Sequence, residues 1–273
     1  MKLKSNRALI IHLILSIGAV LMIIPFIWMV LTSLKTMGEV TQVPPTIIPN
    51  EWNWASYVRV FDYMPFLQFY WNTIMMTVGR TVGQLIICSF AAYAFARIVF
   101  PGRNVLFIIT LSVLMVPLQA YAIPQYLIMV ELNWLNTLQA LIVPGLFSAF
   151  GVFLLRQFFM GLPKELDEAA RIDGCNHFQI FFFILLPLTK PALISLAIFT
   201  MLWSWNDLLW PLIVNSSQAK LPLSAGLVAI QGQYSTNFPV LMAGSLLAIW
   251  PMVLIFIFLQ RYFIEGITMG SSK

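Results

Sequence analysis

The stretch EAARIDGCNHFQIFFFILLP, residues 168–187, sets charged residues, adjacent alanines and a glycine between long apolar segments. Just before it, Pro163 suits the first turn of a helix, where the missing N–H of proline is no loss. Three acids follow in or near this first turn, where the helix dipole stabilises negative charge. Gly174 comes after the last turn, the usual place for a left-handed cap. The pattern therefore predicts a short helix from Pro163 to Asp173.

The faces of this short helix indicate a protein partner. One side is formed by residues spaced i, i+3, i+4 and i+7, which are Leu166, Ala169, Ala170 and Asp173. Alanines at such positions let another backbone approach closely. A helix lying on a membrane surface would be basic on its polar face, whereas here the acids outnumber the bases: Glu165, Asp167, Glu168 and Asp173 against Lys164 and Arg171. Anionic lipid would repel that face, so the sequence favours a protein that grips the helix; an interfacial helix is the alternative.

The composition around this helix is that of an integral membrane protein. Of 273 residues, 60% are hydrophobic and 9% are charged, against about 25% charged residues in soluble domains. The mean hydropathy of +0.88 agrees. A net charge of +5 spread along the chain is too modest to indicate nucleic-acid binding.

Six stretches have the roughly 20 mostly apolar residues that a membrane-spanning helix needs: 8–34, 70–96, 104–130, 138–160, 184–214 and 239–261. The first is too long for the apolar region of a signal peptide, about 7–15 residues, so it is expected to be a retained first span. We predict an all-α membrane protein with six transmembrane helices.

The distribution of Lys and Arg predicts the orientation. With the N-terminus in the cytoplasm, most basic residues lie at cytoplasmic ends and loops, as the positive-inside rule requires. This gives a cytoplasmic N-terminus (1–7), a first span (8–34), an outer loop (35–69), a transmembrane core (70–262) containing the loop 161–187, and a cytoplasmic tail (263–273). The aromatic- and proline-rich part of the outer loop is either an interfacial loop or a docking surface for an external partner.

Several predicted spans contain prolines, whose freed carbonyls need hydrogen-bond donors. Intramembrane polar groups are costly and often mark a pathway. The candidates for a translocation pathway are Gln119, Gln125, Trp203, Asn206 and Asp207; satisfying the kinks and anchoring at the interface are equally good roles for each. Arg80, inside the second span, either pairs with an Asp or lines the pathway.

Other classes of protein lack their usual residues. Two cysteines and two histidines are too few and too scattered for a metal site, and Cys88 and Cys175 are expected to be unpaired thiols. No phosphate-binding loop occurs, so any ATP is bound by another chain. An enzyme would need a convergent set of His, Asp, Glu or Cys residues, which the sequence does not show. We therefore expect no catalytic residue, metal or cofactor on this chain.

The stretch 168–187 resembles the signature of permease subunits of bacterial ABC importers: Glu-Ala-Ala, three residues, Gly, nine residues, Ile, any residue, Leu-Pro. Glu168–Ala170, Gly174 and Ile184–Pro187 meet every spacing. Similarity to the carbohydrate-type, maltose-like permeases extends along the chain, at residues 33–35, 91–97, 156–166, 203–206 and 260–270.

This resemblance implies a type I importer fold with a cytoplasmic coupling helix, in the maltose-type "G" partner of a permease pair. It implies contact with the ATPase subunit through Glu168, Ala169, Ala170, Asp173 and Gly174, and a tail contact through Gly266, Thr268 and Gly270; fraying of that tail is the alternative. The implied partners are a second permease chain, two ATP-binding subunits that hold ATP and Mg, and an extracytoplasmic binding protein that delivers a sugar at the bacterial plasma membrane.

Two other functions stay open at this point. The first is the same class of importer working on polyols or glycerol phosphates, for which cavity-facing cations would be favoured. The second is an ion-driven secondary transporter, for which repeated halves and buried carboxylates are typical. The sequence shows neither repeated halves nor buried carboxylates clearly.

Overall fold

The structure, a computed structural model, describes residues 2–229, 231 and 236–269, and the side chains of residues 9–228, 231 and 236–260. Its α-helices are α1 (Lys2–Ser33), α2 (Met37–Thr41), α3 (Ala55–Tyr63), α4 (Phe66–Arg97), α5 (Arg103–Ser112), α6 (Leu118–Glu131), α7 (Leu138–Ile142), α8 (Ala149–Gly161), α9 (Glu165–Ile172), α10 (His177–Gln179), α11 (Leu186–Leu188), α12 (Lys190–Trp205), α13 (Leu209–Val214), α14 (Leu223–Ala229) and α15 (Phe238–Met269). Short 3₁₀ segments lie at Val113–Met115, Val143–Gly145 and Gln218–Lys220, and a π-helix lies at Ile180–Leu185.

Within the described residues, four helical segments are long and apolar enough to cross a membrane: Leu9–Ser33, Phe66–Arg97, Leu138–Gly161 and Phe238–Gln260. Two further pairs pass the same test together but are bent, by 102° for Arg103–Met115 with Leu118–Glu131, and by 76° for His177–Leu188 with Lys190–Trp205. The prediction of an all-α chain with six spans is confirmed when each bent pair counts as one span.

The predicted bounds of the fifth span, 184–214, are wrong at both ends. Its helical run begins at His177, because Asn176 and Gln179 form a capping box with bonds of 3.0 and 2.8 Å. It ends at Trp205, and α13 is a separate helix. Apolar character alone misplaced these ends, because the phenylalanine-rich start and the short α13 are both hydrophobic.

The chain forms two compact units by its contacts, one of residues 1–67 and 226–250 and the other of residues 68–225 and 251–273. In the first unit, Lys35, which is 2% exposed, links the end of α1 to the segment that follows it. Its ammonium donates to the carbonyl oxygen of Thr46 and lies 4.8 Å from the ring centroid of Trp28. Ser33 Oγ and Tyr57 Oη, 2.9 Å apart, form a second tie.

Glu39 organises the start of α2 in the same unit. Its carboxylate accepts hydrogen bonds from the backbone N–H groups of Thr36 and Asn50 at 2.9 and 2.7 Å. These bonds, the one from Thr36 foremost, lower the pKa of Glu39 below its ordinary value, because they favour the charged form. Trp52 and Trp54 remain 58% and 64% exposed, which suits both an interfacial loop and a docking surface.

In the second unit, side chains satisfy the backbone where the Leu138–Gly161 span is broken. Pro144 has no N–H, so the carbonyl of Ala140 loses its usual helical donor. Trp210 Nε1 donates to that carbonyl at 2.9 Å. Two donors from α4 bind the neighbouring carbonyls: Arg80 Nε reaches Leu141 at 2.7 Å and Gln84 Nε2 reaches Gly145 at 2.8 Å. The broken helix is thus held by donors from two other helices.

A side chain also satisfies the carbonyl that Pro211 leaves without a donor. Pro211 leaves the carbonyl of Asp207 without a helical donor, and Ser224 Oγ donates to it at 2.5 Å. Side-chain donors of the protein therefore satisfy the carbonyls that Pro144 and Pro211 leave without a helical donor, and no water is needed there.

The substitution Trp210→Phe should test this account of the break. It keeps a buried ring (Trp210 is 2% exposed) but leaves the Ala140 carbonyl without its donor. We expect the free energy of unfolding to fall by about 1–3 kcal/mol, seen as a lower thermal midpoint of the purified protein. Trp71→Phe, at a position that is 57% exposed, is the matched control. Equal midpoints for the two variants would contradict the assignment.

Candidate functional site

The short helix α9 begins at Glu165, two residues after the predicted start at Pro163, and ends at Ile172, with the predicted last residue, Asp173, as its C-cap. Gly174 has φ of 82° in the left-handed region. The N–H of Cys175 bonds the carbonyl of Ala170 at 2.9 Å, and the N–H of Gly174 bonds that of Arg171 at 3.0 Å. Together these bonds form the Schellman termination, which makes the turn after α9 rigid.

The exposed face of α9 differs from the predicted one. Ala170 is 4% exposed and belongs to the core of its own chain, so the prediction that it presents an accessible surface is wrong. Ala169 and Glu168 are exposed. Ile172, which the sequence reasoning did not single out, is 87% exposed. An exposed isoleucine beside Glu168 and Ala169 gives α9 an apolar centre with an acidic edge.

An ion pair anchors the inner face of α9. Arg97 Nη1, at the last residue of α4, lies 3.1 Å from Asp167 Oδ2, and the two side chains are 6% and 12% exposed. The contact is an ion pair without hydrogen-bond alignment. Arg97 Nη2 also donates to the carbonyl of Leu162 at 2.7 Å. Asp167 therefore holds α9 to α4 and is not part of its exposed acidic face.

Aromatic packing joins α9 to the long helices. Phe181, 1% exposed, shares the core cluster that contains Ala170. Its ring centroid lies 4.8 Å from that of Phe90 and 5.1 Å from that of Tyr93, both on α4. Tyr93 Oη lies 3.3 Å from His177 Nδ1 and donates to the His177 carbonyl at 3.2 Å. Ala170 of α9 therefore shares one packed cluster with the π-helix Ile180–Leu185 and with α4.

The alternative left open for Arg80 is resolved. Arg80 Nη1 donates to Asp207 Oδ2 at 2.8 Å, and the side chains are 10% and 18% exposed. The space that the guanidinium needs is left by Gly145, where an added Cβ would lie 2.6 Å from Arg80 Cδ and Nε. Arg80 thus binds the Leu141 carbonyl and the Asp207 carboxylate at once. The carboxylate of Asp207, a predicted pathway residue, is therefore paired with Arg80.

The other predicted pathway residues are spread over two elements. Trp203 is 53% exposed and lies 5.4 Å from the ring centroid of Phe150. Asn206 is exposed and donates to the carbonyl of Leu202 at 2.8 Å. On α6, Gln119 is exposed and Gln125 is half-buried. The pathway role of these residues stays a prediction.

The predicted tail contacts fall at the end of the described chain. Gly266 and Thr268 belong to the helical backbone of α15, with no side-chain description, and Gly270 lies outside the described residues. Among the described residues no group of three or more His, Cys, Asp or Glu is placed to hold a metal ion.

A polar stripe on α4 is the feature that sequence reasoning missed. Its members are buried: Asn72, Thr73, Thr77, Arg80, Thr81 and Gln84. Asn72 Nδ2 donates to the carbonyls of Ala219 and Leu221 at 3.0 and 2.9 Å. The i, i+4 recurrence of Asn, Thr, Arg and Gln within a 32-residue apolar helix was the available signal.

Broken spans joined by buried polar side chains, together with a short capped helix that exposes an apolar and acidic face, are typical of a membrane transport component. A family model described as the binding-protein-dependent transport system inner membrane component matches residues 84–268. The chain belongs to this family of importer permeases.

Two curated relatives and one solved structure agree over nearly the whole chain. The arabinooligosaccharides transport system permease protein AraQ of Halalkalibacterium halodurans is 36% identical over 281 residues, covering 99% of this chain and 100% of the relative. The sn-glycerol-3-phosphate transport system permease protein UgpE of Yersinia enterocolitica is 33% identical, covering 94% of each. A chain in the crystal structure of a bacterial ABC transporter involved in the import of the acidic polysaccharide alginate matches with a TM-score of 0.84 and 26% identity, over 94% of this chain and 96% of that one.

These findings confirm the type I importer fold and the role of the chain. It is a membrane permease subunit of an ATP-driven importer, and ATP hydrolysis belongs to a separate subunit. The family implies an ATPase partner and a solute-binding protein. The reading as an ion-driven secondary transporter is set aside.

Asp167→Asn should loosen α9 without unfolding the spans. It leaves Arg97 buried without a carboxylate, at a cost of about 3 kcal/mol, and that cost falls on the local contact. We expect amide exchange at residues 167–175 to become about 100-fold faster, measured by hydrogen–deuterium exchange with mass spectrometry. Glu165→Gln, at an exposed acid on the same helix, should leave these rates unchanged; comparable acceleration in both variants would show that the ion pair does not anchor α9.

Proposed function

We propose that this permease carries a neutral sugar or oligosaccharide, delivered by an extracytoplasmic binding protein, through a pathway shared with a second permease chain. The observation that carries the choice of a neutral substrate is the Arg80–Asp207 ion pair. An anionic substrate would favour unpaired cations along the spans, and Asp207 already neutralises Arg80. AraQ, named for arabinooligosaccharides, is a relative with this class of cargo. UgpE, named for glycerol phosphate, supports the alternative.

The proposed orientation places both termini in the cytoplasm of a bacterial cell, in its plasma membrane, because the positive-inside rule favours it. In this orientation α9 and the loop 161–187 face the cytoplasm, and the segment 35–69 faces outward.

A second permease chain is supported by an apolar surface on the first span that the described residues leave uncovered. The 18-residue apolar window of Leu9–Ser33 is 0% buried within the chain. Lipid and a partner helix are the two surfaces that can cover such a face. A heterodimer in which each first span packs on the other subunit fits the maltose-type arrangement that the sequence resembles.

The helix α9 is proposed to seat in the ATPase subunit. Its exposed centre, Ile172 with Ala169, would pack in an apolar groove, and Glu168 would make a charge-assisted hydrogen bond to a basic or backbone donor. Gly174 supplies the rigid turn, and Asp173 caps the end of the helix. Ala170 supports this surface from inside its own chain.

The motion is proposed to pass along the packed chain of contacts already described. When ATP binding draws the ATPase subunits together, α9 moves with its groove. The Arg97–Asp167 pair and the Phe181 ring cluster carry this displacement to α4 and to the fifth span. Packed interiors shift between discrete arrangements rather than deforming continuously. The translocation pathway can therefore open to one side of the membrane at a time.

Glu168→Lys should uncouple ATP hydrolysis from uptake while the protein stays folded, because it reverses the charge at the proposed contact. We expect uptake by reconstituted importer to fall at least about tenfold. Glu131→Lys makes the same change at an exposed glutamate that the proposed orientation places on the outer side, and it should transport normally.

Gly174→Ala should also lower uptake, in this case by changing the backbone geometry after α9. A left-handed backbone costs a non-glycine residue about 1–2 kcal/mol, so the turn after α9 would shift. Gly161→Ala, where an added Cβ meets nothing within 4 Å, is the control. Normal uptake by both Glu168→Lys and Gly174→Ala would refute the coupling role of α9.

The neutral-substrate proposal is tested with the purified importer and its binding protein. Neutral arabinose-, glucose- and galactose-based oligosaccharides should stimulate ATP hydrolysis, whereas glycerol 3-phosphate and alginate oligomers should not. Stimulation by glycerol 3-phosphate alone would establish the alternative. Copurification of an ATPase subunit with the tagged chain is the prior check that the assembly is intact.

A further inference from the structure

A cavity lies beside the helix α9, in the unit of residues 68–225 and 251–273. It has a volume of about 480 Å³ and is lined by the end of α4, the start of α5, the end of α8 and one side of α9. Its charged lining consists of four cations and two carboxylates: Arg97, Arg103, Lys164 and Arg171, with Asp167 and Glu168.

The charges of this cavity are not balanced. Asp167 is paired with Arg97, which leaves Arg103, Lys164 and Arg171 against Glu168. Arg97 adds donor capacity even so: its side chain is 6% exposed, and its Nε has no hydrogen-bond partner among the described residues. A buried guanidinium N–H without an acceptor is costly, so the cavity is built to receive an anion with several acceptor oxygens.

The apolar part of the lining indicates where that anion comes from. Val99 is 90% exposed and Met160 is 52% exposed, and both border the cavity. The cavity also lies where two spans meet, since α4 ends at Arg97 and α5 begins at Arg103. Basic pockets at such span ends, on the cytoplasmic side, suit anionic lipid headgroups.

We propose that this cavity binds the phosphodiester headgroup of an anionic lipid, with its acyl chains against Val99 and Met160. The proposal rests on the orientation given under the proposed function. Three guanidinium groups and one ammonium group, from α4, α5 and the two ends of α9, surround the phosphate, and arginine provides several donors at once. The lipid thereby touches α9 along the side that carries Lys164, Glu168 and Arg171.

Glu168 lies where the proposed lipid site and the proposed ATPase contact of α9 meet. Its carboxylate borders the cavity and also belongs to the exposed acidic edge of α9. Seating of Glu168 against a cation of the ATPase would remove a repulsive charge from the lipid site. Headgroup binding and ATPase docking are therefore coupled favourably, and each should strengthen the other.

The test uses the assembled importer in nanodiscs of phosphatidylcholine with a minor fraction of phosphatidylglycerol, and counts retained phosphatidylglycerol by native mass spectrometry. Lys164→Gln and Arg103→Gln should each lower retention about fivefold, because each basic residue near the surface contributes about 1 kcal/mol. Lys190→Gln, at an exposed lysine outside the cavity, is the matched control. In the isolated chain, where no ATPase cation neutralises Glu168, Glu168→Gln should raise retention, a change of sign that a merely structural role would not produce.

Three results would overturn the lipid site: equal retention in Lys164→Gln and Lys190→Gln, displacement of the lipid by millimolar inorganic phosphate, or retention by the isolated chain that disappears when the ATPase subunits bind. The last two would assign the cavity to a free anion and to the ATPase. Failure of wild-type chain to copurify with an ATPase subunit would instead count against the proposed function, and the lipid count on the isolated chain would still decide the site.

Discussion

The guanidinium of Arg80 is the interaction on which the transmembrane part of this permease depends. One side chain on α4 binds the carbonyl of Leu141, freed at a helix break, and the carboxylate of Asp207, at the end of α12. In a membrane such groups have no water to turn to, and each would cost several kcal/mol unpaired. With Gln84 and Trp210 on the flanking carbonyls, Arg80 lets the chain contain broken helices, which a transporter needs in order to rearrange, without leaving polar backbone exposed to lipid.

A small number of contacts also holds α9 in place. A helix of eight residues has little stability of its own. The Schellman turn at Gly174, the Arg97–Asp167 ion pair and the burial of Ala170 fix it to the spans. Its outer face, with Ile172 at the centre, is left free for another protein. A helix held firmly on one side and accessible on the other is suited to pass on a movement, because the force is not lost in bending of the link.

Much of this arrangement could be predicted from the sequence. Helix length and apolar content located the spans, and the left-handed cap at Gly174 followed from glycine chemistry alone. What failed has a common cause: the sequence shows which residues are polar, but not which of them meet. Ala170 and Ala169 look equivalent as neighbours, yet only packing reveals that Ala170 is buried. Asp167 reads as part of an acidic face until Arg97, 70 positions earlier, neutralises it. The start of the fifth span was misplaced because hydrophobicity does not reveal a capping box such as that of Asn176.

The close approach of Arg80 to Gly145 also limits how this chain can evolve. A side chain at position 145 would meet the guanidinium stem at 2.6 Å, so it becomes tolerable only after position 80 has become smaller. A smaller residue at position 80 would in turn strand the charge of Asp207. No single step leaves this trio without loss, and the three positions are expected to change together or to stay fixed across descendants. Gly161, where an added Cβ meets nothing within 4 Å among the described residues, carries no such constraint, so one protein contains glycines under opposite selective regimes.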